Sequence, residues 1–295
     1  MTESVRPLCR RPAAPRLVLA GLMLPVAITA PPAAELCDGR DEDRDGTLDP
    51  DCPRVCPDPR PDGDERLLTA SDARASLGRD RSLAWDGRRY AAVWIDEDGF
   101  DTVVRLARTG PSGRALHDPV TLSDPVPIDA DPAVAAGGDG YGVVWSQEDF
   151  GLPRILFAHV DGDGTVDAGP VVVGDEDDDG QRPAIAWDGD AFVVAWAWYN
   201  SRVYLQRIDP TGTPLAAPRC LNCDDTSGAG DVSIAVGPAG LAVAYDDAGG
   251  TVKLARTDTG GAPVGPPVTI ASGTARRPSV VRADVSTGVS SPNSD

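Results

Sequence analysis

At 295 residues the chain is long enough for one large β-domain or two small ones, and 46 acidic against 27 basic residues leave a net charge of −19. That balance excludes nucleic acid and anionic membrane surfaces as natural partners, because a polyanion is repelled by so acidic a surface. Only seven of the acidic residues are Glu; Asp in such excess, with 32 Gly and 28 Pro, describes short strands joined by many tight turns.

Residues 1–34 read as a signal peptide. Arg6, Arg10, Arg11 and Arg16 form a basic start, and Leu17 to Ile28 is an apolar run of twelve residues interrupted by Pro25. Twelve helical residues rise about 18 Å, short of the roughly 30 Å hydrocarbon core, so the run addresses the chain for export and does not anchor it. Ile28-Thr29-Ala30 is a small-residue cleavage end, with Ala33 and Ala34 as competing sites. The expectation is a secreted, periplasmic or cell-surface protein without a transmembrane segment.

Residues 35–64 carry a Cys-stapled acidic loop and a linker. Asp41, Asp43 and Asp45 stand at positions 1, 3 and 5 of a D-x-D-x-D-G pattern, with Gly46 at 6, Thr47 at 7 and Asp49 at 9. Hard carboxylate oxygens at alternate positions, the Thr47 carbonyl and a Gly at the sharp bend are what one Ca²⁺ requires. Position 12 is Cys52 where an EF-hand has Glu, and Asp51 is the substitute ligand. An acidic linker is the alternative reading of the segment.

Beyond the leader stand Cys37, Cys52, Cys56, Cys220 and Cys223. In an oxidising compartment Cys37–Cys52 would staple the acidic loop and Cys220–Cys223 would close a small ring, leaving Cys56 over. The spacings C-x₃-C and C-x₂-C also admit a zinc site built from Cys52, Cys56, Cys220 and Cys223.

Residues 65–283 repeat. Trp85-Asp86-Gly87 leads to Tyr90–Trp94, Gly138-Asp139-Gly140 to Tyr141–Trp145, Trp187-Asp188-Gly189 to Phe192–Trp196, and Gly240 to Leu241–Tyr245. The closing aromatics Trp94, Trp145, Trp196 and Tyr245 stand 51, 51 and 49 residues apart, which marks a repeat architecture. Each unit reads as four strands: a short apolar run such as Pro183–Trp187, a turn and the aromatic-closed strand, a third strand (Val103–Arg108, Ile155–Val160, Val203–Ile208, Val252–Thr257), and a fourth (Val120–Leu122, Val171–Val173, Arg219–Leu221, Val268–Ile270). An aromatic in register in every unit is expected to pack between neighbouring sheets rather than to meet ligand. The predicted fold is therefore all-β, a β-propeller-like array of four full units of about fifty residues with a partial fifth. Arg66–Ala70 resembles a lone fourth strand and Arg277–Val281 a lone first strand, which together would complete that fifth sheet and remove the array's edges; otherwise the array stays open. Residues 284–295 are expected to be a disordered tail.

These units resemble the propeller-like repeats of secreted proteins from high-GC Gram-negative bacteria such as myxobacteria. The segment 35–52 resembles the C-D-G-x-D-x-D-x-D-G-x-x-D metal-binding motif of the MopE-like family, except that Arg44 stands where that family has a second Cys. The resemblance implies a Gram-negative surface or secreted location and says little about ligand.

Nothing local in the sequence marks a catalytic centre. His117 and His159 are the only histidines, no sialidase-type S-x-D-x-G-x-x-W box is present, and no Gly-rich loop opens a helix. The expectation is thus a non-enzymatic binding or scaffold protein with a structural calcium loop, its extracellular ligand a glycan or a protein on the loop face. The alternatives are a propeller glycoside hydrolase with paired Asp residues and a purely structural envelope repeat.

Overall fold

The computed structural model describes residues 74–77, 81–98, 101–125, 130–149, 151–175, 179–199, 201–225, 227–282 and 287–290, all within the compact unit Glu65–Asp295. The leader, the whole of the acidic loop from Asp41 to Asp51, and the strand expected at Arg66–Ala70 lie outside the described residues.

The described chain is all-β. Its first sheet holds β1 (Arg74–Leu77), β2 (Leu83–Trp85), β3 (Tyr90–Asp98), β4 (Asp101–Thr109) and β5 (Val120–Thr121). Both β1 and β2 pair antiparallel with β3, as one interrupted inner strand. The second sheet is β6 (Ala130–Gly137), β7 (Gly140–Asp149), β8 (Leu152–Asp161) and β9 (Val166–Val173), and the third is β10 (Gly180–Trp187), β11 (Phe192–Trp198), β12 (Arg202–Ile208) and β13 (Arg219–Cys220). The fourth is β14 (Val232–Gly237), β15 (Gly240–Asp246), β16 (Val252–Thr257) and β17 (Val268–Ala271), and a two-stranded fifth is β18 (Ser279–Arg282) with β19 (Thr287–Ser290). Each full sheet is a meander in chain order, as the repeat frame predicts. β19 is a departure, because it lies in the segment expected to be tail and pairs with β18 in register Val280↔Val289.

Short-range chemistry makes the hairpins. Asp86 Oδ1 accepts the amides of Arg88 and Arg89, both at 2.7 Å, and Asp188 Oδ1 those of Asp190 and Ala191. Each W-D-G thus closes an Asx-type turn. Asp161, Asp209 and Asp258 do the same between third and fourth strands, accepting the amides of Thr165, Thr213 and Ala262 at 2.8, 2.9 and 2.8 Å. The acidic run at Asp161–Asp167 is therefore turn chemistry first.

Alternation then sends each sheet's two apolar faces to two neighbours. Val93 and Leu106 meet Tyr141, Val143 and Trp145 between sheets one and two. Val144 and Phe157 meet Phe192, Val194 and Trp196 between two and three. Val193 and Leu205 meet Ile234, Val243 and Tyr245 between three and four, and Ala242 and Ala244 meet Val280 between four and five. Trp145, Trp196 and Tyr245 are each 0% exposed. They are core, at about 1.5–3 kcal/mol of burial per large side chain.

The first strands of the sheets gather about one axis, which Arg81 crosses. Its Nη1 donates to Ile185 O at 3.1 Å, its Nη2 to Val280 O at 2.8 Å, and its carbonyl accepts the amide of Val134 at 2.9 Å. One residue so joins the inner strands of the first, second, third and fifth sheets.

Candidate functional site

The two ends of the axis differ in chemistry. Where the inner strands finish, a cavity of about 590 Å³ is lined by Leu83, Ile185, Trp187, Val236 and Val281, with Arg81 at its side; it is apolar. Where they begin, a cavity of about 290 Å³ is lined by Arg182, Gly230, Asp231, Asp246, Asp247 and Arg276; it is polar and charged. A larger surface hollow of about 620 Å³ beside Arg88, Arg89 and Asp161 is a seam between sheets. There Arg89 and Arg108 both donate to the Gly162 carbonyl.

The hairpin register builds the polar cavity. Val232 faces Tyr245 at the last ladder pair of β14 and β15. One step further Asp231 and Asp246 oppose each other, joined by Asp246 N to Asp231 O at 3.3 Å. The Asp246 side chain turns back along its partner strand, so that Oδ1 accepts the Asp231 amide at 2.7 Å and Oδ2 the Arg277 amide at 3.1 Å. Only glycine at 230 permits this, since a Cβ there would sit 2.2 Å from Asp246 Oδ1. The Asp246 residue is 3% exposed, and burial pushes its carboxyl above the ordinary carboxylate range, against the two amides that favour its charge. Asp231 is instead ion-paired, 3.4 Å from Arg182 Nε and 4.0 Å from Arg277 Nε.

The third carboxylate is committed elsewhere. Asp247 Oδ1 accepts the Thr251 amide at 2.9 Å and Oδ2 lies 3.6 Å from Lys253 Nζ. Lys253 also donates to Asp225 and to Ser227 Oγ. Burial works against the charge of Asp225, but Lys253, the Ser227 hydroxyl and the Ser227 amide outweigh it and lower the carboxyl to about 2. This cluster follows the ring closed by the Cys220–Cys223 disulfide, within which Asn222 Oδ1 accepts the Val203 amide at 2.7 Å. With those two sulfurs bonded to each other, the four-cysteine zinc site is overturned.

Two carboxyl groups in unlike surroundings on one cavity wall are what acid–base chemistry on a glycosidic bond needs. Sequence reading missed Asp231 and Asp246 because they meet only through the β14–β15 register. The signal for Asp231 is the repeat frame: Asp131, Arg182, Asp231 and Arg277 hold one position of it, just before each inner strand's apolar run. The expected ligands Asp41, Asp43, Asp45, Thr47, Asp49 and Asp51 lie outside the described residues. Among the described residues no group of three or more His, Cys, Asp or Glu is placed to hold a metal ion, and no helix is long and apolar enough to cross a membrane.

No protein-family model matches the chain, and no curated protein sequence matches it. Solved structures do. A GH43 β-1,3-galactosidase aligns at TM-score 0.47 and 11% identity over 64% of this chain and 44% of its own. A GH43 endo-arabinanase from Bacillus licheniformis aligns at 0.41 and 14% over 75% and 97%. A family 117 glycoside hydrolase of the marine bacterium Zobellia galactanivorans aligns at 0.43 and 14% over 69% and 78%. The chain spans less than half of the β-1,3-galactosidase. At such identities the likeness is one of fold. The expectation of a non-enzymatic chain is corrected all the same: the structures that align are glycoside hydrolases, and the absence of a local catalytic motif was no ground for excluding carboxylates that meet in space.

Proposed function

We propose that the chain is an exported protein that cleaves glycosidic bonds in its polar axial cavity. Asp246 acts as the acid and Asp231 as the facing carboxylate. The observation that carries this reading is the cross-strand pairing of a buried, upward-shifted carboxyl with an ion-paired one on the wall of a single cavity. A glycosidic oxygen leaves only with a proton, and burial lets Asp246 hold one to higher pH. Directly opposed cross-strand residues keep their Cβ atoms about 4.5–5.5 Å apart, which puts both carboxyl groups within reach of one bond, and the course we propose is the retaining one. Asp231 thus attacks the anomeric carbon as the C–O bond breaks, and water releases the sugar with Asp246 taking the proton back.

The test is turnover of a panel of chromogenic glycosides and polysaccharides by the wild-type chain, Asp231→Asn and Asp246→Asn. Loss of at least about a hundredfold in both variants, with the β-configured product first from a β-linked substrate by proton NMR, is expected. Equal turnover in variants and wild type sinks the assignment.

Export rests on the basic start and apolar run of residues 1–34, and a structural Ca²⁺ bound by Asp41, Asp43, Asp45, Thr47, Asp49 and Asp51 rests on the D-x-D-x-D-G spacing. Calorimetric titration of the chain with Ca²⁺ should show one site that the double change Asp43→Ala, Asp45→Ala removes; an unchanged heat rejects it.

A further inference from the structure

Three arginines stand at the polar cavity beside its three aspartates, in a protein that is otherwise strongly acidic. Arg182 and Arg276 line it, and Arg277 stands at its rim with its side chain 64% exposed. Their placement is built into the fold. Arg182 and Arg277, each followed by Pro, share one position of the repeat, and both adopt left-handed backbone, with φ of 52°. That region is uncommon for residues other than Gly and costs on the order of 1 kcal/mol or more each. At Arg182 the kink coincides with a register shift between Gln181 and Ala184, which re-aims the side chain at the head of the inner strand.

Among the described residues, the carboxylates at this mouth leave Arg276 and Arg277 with N–H donors to spare. Asp247 is taken by Lys253 and the Thr251 amide, and Asp246 by the amides of Asp231 and Arg277. Of the described carboxylates here, Asp231 is the one within salt-bridge range of guanidinium groups, those of Arg182 and, at 4.0 Å, Arg277. Arg276 donates to the carbonyls of Asp247 and Ala248, two acceptors for a group with five N–H donors. We infer that the cavity takes an anionic glycan, with the acidic group of one sugar seated on Arg276 and Arg277 beside the Asp231–Asp246 pair. A planar fork of N–H donors matches a carboxylate or sulfate in two-point fashion. The chain's net charge of −19 repels polyanions elsewhere, so this mouth is where one is received.

The inference rests on the site assigned above and is separable from it. Calorimetry on the full chain compares tri-galacturonate, its methyl ester, neutral galactotriose and a sulfated galactan trisaccharide. One or both charged sugars should bind at least about tenfold more tightly than the two neutral ones, and which of them does so identifies the acid group. Arg277→Gln, at an exposed position, should lose on the order of tenfold in that affinity, and Arg276→Gln the same if its thermal unfolding is unchanged. The difference should shrink as salt rises from about 0.05 to about 0.5 M. Affinity for both charged sugars no greater than for the two neutral ones, or an Arg277→Gln chain that binds as wild type, overturns it. Turnover of neutral sugars lost in Asp231→Asn would leave the glycosidase reading standing while this one falls. Tight binding of the charged sugars without turnover would do the reverse.

Discussion

Aspartate does three jobs in this chain, and the atoms that surround each carboxylate decide which. Where it opens a turn, as at Asp209, a side-chain oxygen takes the amide four residues on. Where it opposes another strand end, as at Asp246, it is buried and shifted upward. Asp86 combines a turn with a seam: besides its own two amides, its Oδ2 accepts the Tyr141 hydroxyl of the next sheet at 2.7 Å and Arg89 Nε at 3.0 Å. Burial opposes the charge of Asp86, yet the hydroxyl, the two amides and the guanidinium outweigh it and lower the carboxyl to about 2. A carboxyl lowered on folding stabilises the fold above its unfolded value near 3.8, and that contribution is lost as pH falls toward about 2. Asp86→Asn is therefore expected to cost about 1–2 kcal/mol at pH 7, with the gap to wild type closing between about pH 4 and 2. Urea melts across that range measure it; a gap that does not change with pH refutes the charge account.

Among the elements, the strand closed by an aromatic is the one that fixes the sheet stack. Trp145 lies between sheets one and two and Trp196 between two and three, each fully enclosed. Trp145→Ala and Trp196→Ala are each expected to cost about 3–5 kcal/mol, whereas Tyr199→Ala, 67% exposed at the end of the third sheet's hairpin, should stay within about 0.5 kcal/mol. Chemical denaturation of the three variants checks this, and similar losses in all three would mean that register does not decide burial. These strands were legible because turn chemistry and alternation are local: Asp-Gly opens the hairpin, period two sorts the faces, and the fourfold recurrence of one frame leaves little choice of architecture. The Asp231–Asp246 pair was less legible, since it needs the exact register of a hairpin, and β19 was hidden because Thr287–Ser290 has few apolar residues to mark it. The left-handed kink at Arg182 was not legible at all. Pro183 beside it suggests a break in pairing, but not that the arginine would turn toward the axis.

At the scale of the molecule, stability comes from sheets that bury one another in series, so that each sheet's loss exposes only its neighbours' faces. Such a stack needs something that acts across it if it is to unfold as one body. Arg81 is placed to do so, with Nη1 on the third sheet's inner strand at Ile185, Nη2 on the fifth's at Val280, and its own carbonyl on the second's at Val134. Charge-assisted bonds from a guanidinium to backbone carbonyls are worth about 1.5–3 kcal/mol each. Arg81→Gln, which shortens the reach and removes the fork, is therefore expected to cost about 2–4 kcal/mol and to lower the denaturant slope as the first and fifth sheets come apart before the centre. Tryptophan fluorescence and far-ultraviolet dichroism, coincident for wild type, should separate in the variant. If they stay superimposed with an unchanged midpoint, the axis is held by the sheet faces alone and the arginine spans it without tying it together.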